Sequence, residues 1–397
     1  MFIHRLTAFH VRIALKKPVR HASHTRSENE TLIVRCAMND GSVGWGEGLP
    51  RTYVTGESID SAWRQLLATD FTPIREQRFD SATAIAQAFD ALQLKGIPHE
   101  EDISIRECFG NSVRCALELA MLDAACRIDR ISLGDLIHRL PESEGIATSR
   151  DEVFYSGAVT SLSPHKQWIA SIKMRLFAFR QVKVKIGTQG IADQHCLSRV
   201  RGVVGPKVDL RLDANEAWQC DDVCSQIAPL LPFHPTCLEQ PVSHGNVAGL
   251  AQVRKNLPVP IMLDESLCSA EDAVRAIQGN WCDAFNIRLS KCGGLVRSLR
   301  LAQMAQAAGL QFQLGCQVGE TGILSAAGRH FACNVAGIRY LEGSFDRFLV
   351  KDRLTEQDLT FRYGGRGMRI RGPGLGVDVN ECRVRELTCR SLELIRP

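Results

Sequence analysis

Apolar and polar positions alternate over residues 1 to about 50 as in antiparallel strands, with Asn39-Asp40-Gly41 as the hairpin turn between 31–38 and 42–47. From Ser58 to about Ile131 the period lengthens. Residues 81–89 read as a helix, and so do 112–126, which are apolar almost all round. Strands followed by helices predict an α+β lobe. From Phe154 the pattern changes again to short apolar runs separated by helical stretches: 155–160, 181–187, 208–213, 237–239, 261–264, 285–291, 311–315 and 339–342. Eight strand–helix units predict a closed (β/α) barrel of roughly 200 to 250 residues.

Helix signals fall between these strands. Ser163 with Pro164 caps the first; Ser269 and Asp272 form a capping signature for 270–278; Gly293-Gly294 opens 295–308. Further helices are predicted over 193–203, 221–231 and 247–257. The fold class is thus α/β, a modified TIM barrel over 150–354 with an α+β capping domain over 1–135. Residues 355–397, which include Gly372-Pro373-Gly374-Leu375-Gly376, are predicted to return and complete the cap. Two polar, turn-rich segments of the cap, 16–27 and 48–57, read as loops. The first carries Lys16, Lys17, Arg20, His21, His24 and Arg26, either as solvated surface or as a lid over an anionic substrate.

At 397 residues the chain has room for both lobes. Its charge, 48 basic minus 44 acidic residues, is +4, which makes no case for nucleic acid or a membrane surface and favours small-molecule chemistry. The 15 cysteines are scattered, include no C-x-x-C pair and often sit in apolar runs (Cys36, Cys115, Cys126, Cys237, Cys333), as expected of reduced thiols in a cytoplasmic protein. No stretch of about eighteen apolar residues occurs, and none is predicted to span a membrane.

The chemistry lies at the strand ends. In Val182-Lys183-Val184-Lys185-Ile186 both lysines share one face. From Lys185 the steps are 28 to Asp213, 26 to Glu239, 25 to Asp264 and 27 to Lys291. Charged residues at the C-terminal ends of barrel strands read as catalytic. Asp213, Glu239 and Asp264 would be neighbours at the mouth, and three carboxylates there call for a hard cation: Mg2+, with Mn2+ as a substitute. Each taken singly reads better as a helix cap or rim ion pair, and it is the regular recurrence of all three that favours the metal. Lys291 is predicted on the far side of the mouth from Lys185. Strand parity, with Asn286 and Arg288 inward, selects Ser290 over Lys291, which puts Lys291 just past the strand end. A metal flanked by lysines describes proton abstraction next to a carboxylate.

These elements in order, Lys183-Val184-Lys185, Asp213-Ala214-Asn215, Glu239-Gln240-Pro241, Asp264-Glu265-Ser266 and Lys291-Cys292-Gly293-Gly294, with Gly46-Glu47 in the cap, resemble the enolase superfamily, in its muconate-lactonizing-enzyme (muconate cycloisomerase / mandelate racemase-like) subgroup. The resemblance covers the whole chain. It implies Mg2+ on Asp213, Glu239 and Asp264, Lys185 as acid/base supported by Lys183, Lys291 on the opposite face, a small carboxylate substrate and a homo-oligomer. It also implies substrate binding by Arg20, His21, Arg26 and Tyr53 of the cap loops and by Gln317, Glu320 and Glu342 of strands seven and eight. Strand eight reads Leu341-Glu342-Gly343-Ser344, without the Asp-x-Asp of dipeptide epimerases and closer to the Glu-containing segment of muconate cycloisomerases. The expected activity is therefore an isomerase: cycloisomerisation, racemisation or epimerisation. Alternatives are o-succinylbenzoate synthase (a lyase), N-acylamino acid racemase and dipeptide epimerase. A Schiff-base aldolase would not need three carboxylates in register, and a non-catalytic relative would be expected to have lost some of these residues.

Overall fold

The computed structural model describes residues 1–20, 25–97, 107–160, 163–188 and 190–397. The cap begins with β1 (Ile3–Arg20), β2 (Thr25–Met38) and β3 (Val43–Gly48), and the Asn39-Asp40-Gly41 turn closes with Gly41 N–H donating to the Met38 carbonyl at 3.1 Å. The helix Asn111–Ile128 lies on this sheet, buried on every side over 111–126. It approaches closely because β3 carries glycine at alternate positions. A Cβ on Gly44, Gly46 or Gly48 would lie 2.0–2.1 Å from the helix backbone at Ala124, Ala116 and Ser112.

Two strands of a small ribbon, β4 (Glu152–Phe154) among them, precede and follow the barrel. The barrel strands are β5 (Gly157–Val159), β6 (Gln181–Lys185), β7 (Asp209–Asp213), β8 (Pro235–Glu239), β9 (Ile261–Leu263), β10 (Ala284–Ile287), β11 (Gln311–Leu314) and β12 (Ile338–Leu341). They pair in parallel in that order, and Ser156 N–H donates to the Leu341 carbonyl at 2.7 Å across the seam between first and last. The ribbon is completed by β13 (Arg366–Met368). The last strand, β14 (Thr388–Ile395), adds antiparallel to β1, giving the cap sheet order β14-β1-β2-β3. The C-terminal segment thus completes the cap.

Helices form where they were expected: Pro164–Leu176 behind the Ser163 cap, Asp193–Val204 without a side-chain cap, Ala270–Gly279 behind the Ser269 cap, and Leu295–Ala307 after Gly294. The stretch 221–231 differs. It breaks into 3-10 turns around the short helix Val223–Ile227, because Pro229 and Pro232 remove two of the N–H donors a continuous helix needs. Residues 247–257 likewise divide into a 3-10 turn, His244–Gly249, and the helix Leu250–Asn256.

The segment 16–27 is a second difference. Its described parts are strand, with Val19 paired to Arg26, since a main-chain ladder satisfies polar sequence as readily as apolar sequence. Of the expected substrate residues there, His21 and the side chain of Arg20 lie outside the described residues. The arms rest on the loop after β12: Leu15 bridges Val350, Lys351 N–H donates to the Ala14 carbonyl at 2.9 Å, and the Lys16 ammonium to the Arg347 carbonyl at 2.5 Å. Residues 48–57 contain the helical turn Thr52–Thr55.

Buried carboxylates tie the lobes together. Glu47 of β3 accepts from the N–H groups of Thr321 and Leu324 at the start of the helix Gly322–Asn334. Glu118 accepts from Leu295 and Val296 at the start of a barrel helix. Among the described residues no helix is long and apolar enough to cross a membrane, and all fifteen cysteines are free.

Candidate active site

Side chains on parallel neighbours in register share a face, so pairing sorts the barrel lumen. Lys183 is level with Arg211, Lys185 with Asp213, Asp213 with Glu239, and Asn286 with Gln313. Val182, Val184 and Leu212 fall on the opposite face and belong to the apolar core under the helices. At the N-terminal end the lumen is filled by Cys237, Met262, Ala284 and Tyr340. Above them lies a charged layer.

In that layer the Lys183 ammonium stands 2.8 Å from Glu342, 3.2 Å from Asp213 and 3.6 Å from Glu239. Arg211, fully buried, pairs with Glu239 at 3.1 Å and with Glu342, and lies over the Tyr340 ring. Burial opposes the charge on Lys183, but Glu239, Glu342 and Asp213 outweigh it and raise its pKa. Burial pushes the Glu239 carboxyl up to about 7, against the pull of Lys183. Asn286 Nδ2 donates to Glu239 at 2.8 Å. Asp264 lies next to Lys291 at 2.8 Å and to Arg288; burial would raise its pKa, but these two cations hold it at about 2. Gln240, held at positive φ, orients this end of the barrel: its amide accepts from Asp264 N–H at 2.8 Å and donates to Val242 and Ser266.

The structure brings Lys183, Lys185, Asp213, Glu239 and Asp264 to one mouth. Lys185 is partly exposed, and among the described residues its ammonium makes no hydrogen bond or ion pair. Two more of the expected residues are held by internal ion pairs in this cluster. Lys291 lies four residues past the end of β10, in the turn that follows, fully buried with its ammonium on Asp264. Arg288 occupies the inward position. Glu342, expected to bind substrate, is turned down the lumen and neutralised by Lys183 and Arg211. At the rim, Arg26 donates to the Tyr53 hydroxyl at 2.7 Å. Gln317 is buried with neither end of its amide hydrogen-bonded, and Glu320, accepting from Gln317 N–H at 2.7 Å, is pushed up to about 8 by burial and by Glu47.

Sequence reading missed Arg211, whose parity with Asp213 was the available signal. It also missed Arg51, a buried guanidinium that joins Asn29 and Glu30 of the hairpin to the Val318 carbonyl after β11. As the side chains stand, no three acidic, histidine or cysteine groups among the described residues converge to hold an ion, since each carboxylate is turned onto a cation. The donor chemistry, three carboxylates at adjacent strand ends, nevertheless fits a hard divalent metal.

Two family models match: the mandelate racemase / muconate lactonizing enzyme N-terminal domain over residues 3–138 and the enolase C-terminal domain-like model over 167–383. The N-succinyl-L-Arg/Lys racemase of Bacillus cereus is 27% identical over 391 residues, covering 97% of this chain and 98% of the relative. Its crystal structure superposes with a TM-score of 0.85 at 24% identity, covering 99% of this chain and 100% of that one. The dipeptide epimerase from Cytophaga hutchinsonii, solved with Mg and D-Ala-L-Val, gives 0.83 at 23%, covering 99% and 100%. The 2-chloromuconate cycloisomerase from Rhodococcus opacus gives 0.83 at 22%, covering 98% and 100%. At these identities the structural likenesses establish the fold, and the family models establish the kinship. The chain belongs to the mandelate racemase / muconate lactonizing enzyme family of the enolase superfamily.

Proposed function

We propose that this isomerase removes the proton α to the carboxylate of a small acid, with Lys185 as the base and Asp213, Glu239 and Asp264 as the residues that would hold Mg2+, or Mn2+ in its place. The supporting observation is that Lys185, Asp213 and Glu239 are paired at the mouth ends of three neighbouring strands and that Asp264 follows the last residue of the fourth. A bound divalent cation supplies positive charge against which a substrate carboxylate becomes an enolate. Lys185 suits the base because, unlike Lys183, its ammonium is not engaged by a carboxylate of the lumen. Lys183 keeps its proton and positions the carboxylates around it. Arg26, Tyr53, Gln317 and Glu320 line the approach and select the remainder of the acid. Racemisation of N-acyl amino acids and epimerisation of dipeptides share this step, and cycloisomerisation of muconate-like acids runs it in reverse, protonating the enolate at the α-carbon.

The test is incorporation of solvent deuterium at the α-carbon across a panel of those acids, with metal content measured by elemental analysis. Lys185→Ala is expected to lose exchange by about 100-fold or more, and chelated enzyme to lose it until Mg2+ is restored. Undiminished exchange in Lys185→Ala, or in metal-free protein, would sink the assignment.

A further inference from the structure

We propose that Arg288, and not Lys291, meets the substrate across from Lys185, which confines proton transfer to one face of the enolate. This rests on the α-proton reading above and narrows its substrate class. An ammonium has three N–H donors, and those of Lys291 are all engaged: with the Asp264 carbonyl at 2.7 Å, Asp264 Oδ1 at 2.8 Å and the Asn286 carbonyl at 2.7 Å. With no exposed surface, Lys291 joins the ends of two adjacent strands. Its role is structural.

Arg288 follows the inward Asn286 by two residues, so its side chain enters the mouth. It leaves the sixth barrel strand, which stands across an eight-strand ring from the second, the strand of Lys185. The guanidinium lies against Asp264 and 3.9 Å from Glu239, and its Nε is buried with no hydrogen-bond partner. Gly315 leaves room for it: a Cβ there would lie 3.1 Å from Arg288 Cγ and 2.2 Å from Asn286 Oδ1. A guanidinium is a fixed planar cation that donates hydrogen bonds to carboxylate or enolate oxygens and does not accept a proton.

The balance of the step follows. The Cα–H bond breaks, the proton passes to the Lys185 amine, and the electron pair moves into the carboxylate as an enediolate held by Arg288. Loss of a β-leaving group on the same face completes turnover, and addition of that group followed by protonation at Cα by Lys185 is the same path in reverse; return of the proton alone gives exchange without net change. The substrate class is therefore acids converted on a single face, by cycloisomerisation or syn elimination, and two-base racemisation falls outside it.

Two measurements test this. Reductive methylation of native protein followed by peptide mapping needs no substrate. Lys185 is expected to label at least about tenfold faster than Lys291, whose amine is both buried and hydrogen-bonded; equal labelling overturns the structural role of Lys291. Deuterium exchange with paired enantiomers of N-acyl amino acids and dipeptides, and with lactone acids, is expected for one enantiomer of a pair only. Exchange of both by wild-type enzyme overturns the one-face proposal and leaves α-proton abstraction standing. Exchange of none counts against α-proton abstraction itself, while the labelling map still decides the role of Lys291. Arg288→Met is expected to slow exchange by about 100-fold with Lys291 still protected from label, which certifies the fold; unchanged exchange overturns the role of Arg288.

Discussion

At the junction of the two lobes and at the barrel mouth, carboxylates are buried to the same depth but meet different partners. Glu47 and Glu118 are met by main-chain N–H groups at helix starts and by the Thr321 and Thr31 hydroxyls. Asp213, Glu239, Asp264 and Glu342 are met by Lys183, Arg211, Arg288 and Lys291. Burial pushes Glu47 and Glu118 up to about 7, and the neutral donors recover only part of that shift. Burial acts on Asp264 and Glu342 too, yet their cations hold both at about 2. Depth alone therefore does not decide whether a buried carboxylate is an anion: cations hold Asp264 and Glu342 down, whereas burial still pushes Glu239, crowded by Asp213 and Glu342 and sharing Lys183 and Arg211 with its neighbours, up to about 7. The junction uses carboxylates to orient backbone, whereas the mouth uses them to keep charge where chemistry needs it.

The sharpest way to break this contrast is at Lys183, the cation three carboxylates share. Lys183→Met leaves Glu342, Asp213 and Glu239 facing one another with only Arg211 between two of them. Loss of one partner from a buried ionic network is expected to cost about 3–5 kcal/mol, measured by denaturant unfolding, together with loss of detectable turnover. Wild-type stability in this variant would show that the mouth carboxylates do not depend on internal cations.

At the junction the corresponding deletion should cost less. Glu118→Ala strips the acceptor from the N–H groups of Leu295 and Val296, while the nearby Arg114 guanidinium keeps its hydrogen bonds to the Phe89 and Leu92 carbonyls. A buried donor left unmade costs about 1–3 kcal/mol, so this variant should unfold at lower denaturant yet retain substantial turnover. A loss as large as that of Lys183→Met would erase the distinction between the regions.

Why the mouth was more legible than the junction has a physical basis. Barrel strands recur at near-constant spacing and end at one rim, so Lys185, Asp213, Glu239 and Asp264 announce themselves by interval. Interval alone fails past a strand end, where the chain turns: Leu289 and Ser290 separate Arg288 from Lys291, and only parity picks the residue that faces inward. Parity favoured Arg288, while the residue type expected of a base favoured Lys291. Glu118 lay hidden for another reason. It sits within an apolar helix whose partner is the start of another helix 177 residues away, where a Cβ on Gly294 would lie 2.2 Å from its carboxylate. Contacts of that kind have no local period, and the glycines at 44, 46 and 48 matter only once a helix rests on them.

The smallest expected effect is the most selective, since it concerns charge alone. Glu118 has an ordinary pKa of 4.5 and a folded value of about 7, raised by burial against Arg114 and with a small contribution from Asp90. Between these values the unfolded chain gives up the proton that the folded chain retains. The contribution of Glu118 to stability is thus fully present below 4.5 and is lost as pH rises through about 7. The mouth runs the other way: Asp264 and Glu342, held at about 2, contribute stability that is lost as pH falls toward that value. Glu118→Gln keeps an acceptor for Leu295 N–H and cannot ionise. It should match wild type at about pH 5 and exceed it by roughly 1–2 kcal/mol at about pH 8, read as the difference between two denaturation curves at each pH. A constant difference across that range would mean that Glu118 is ionised in the folded protein, and that the N–H groups of a helix start hold a buried anion as well as the cations of the mouth do.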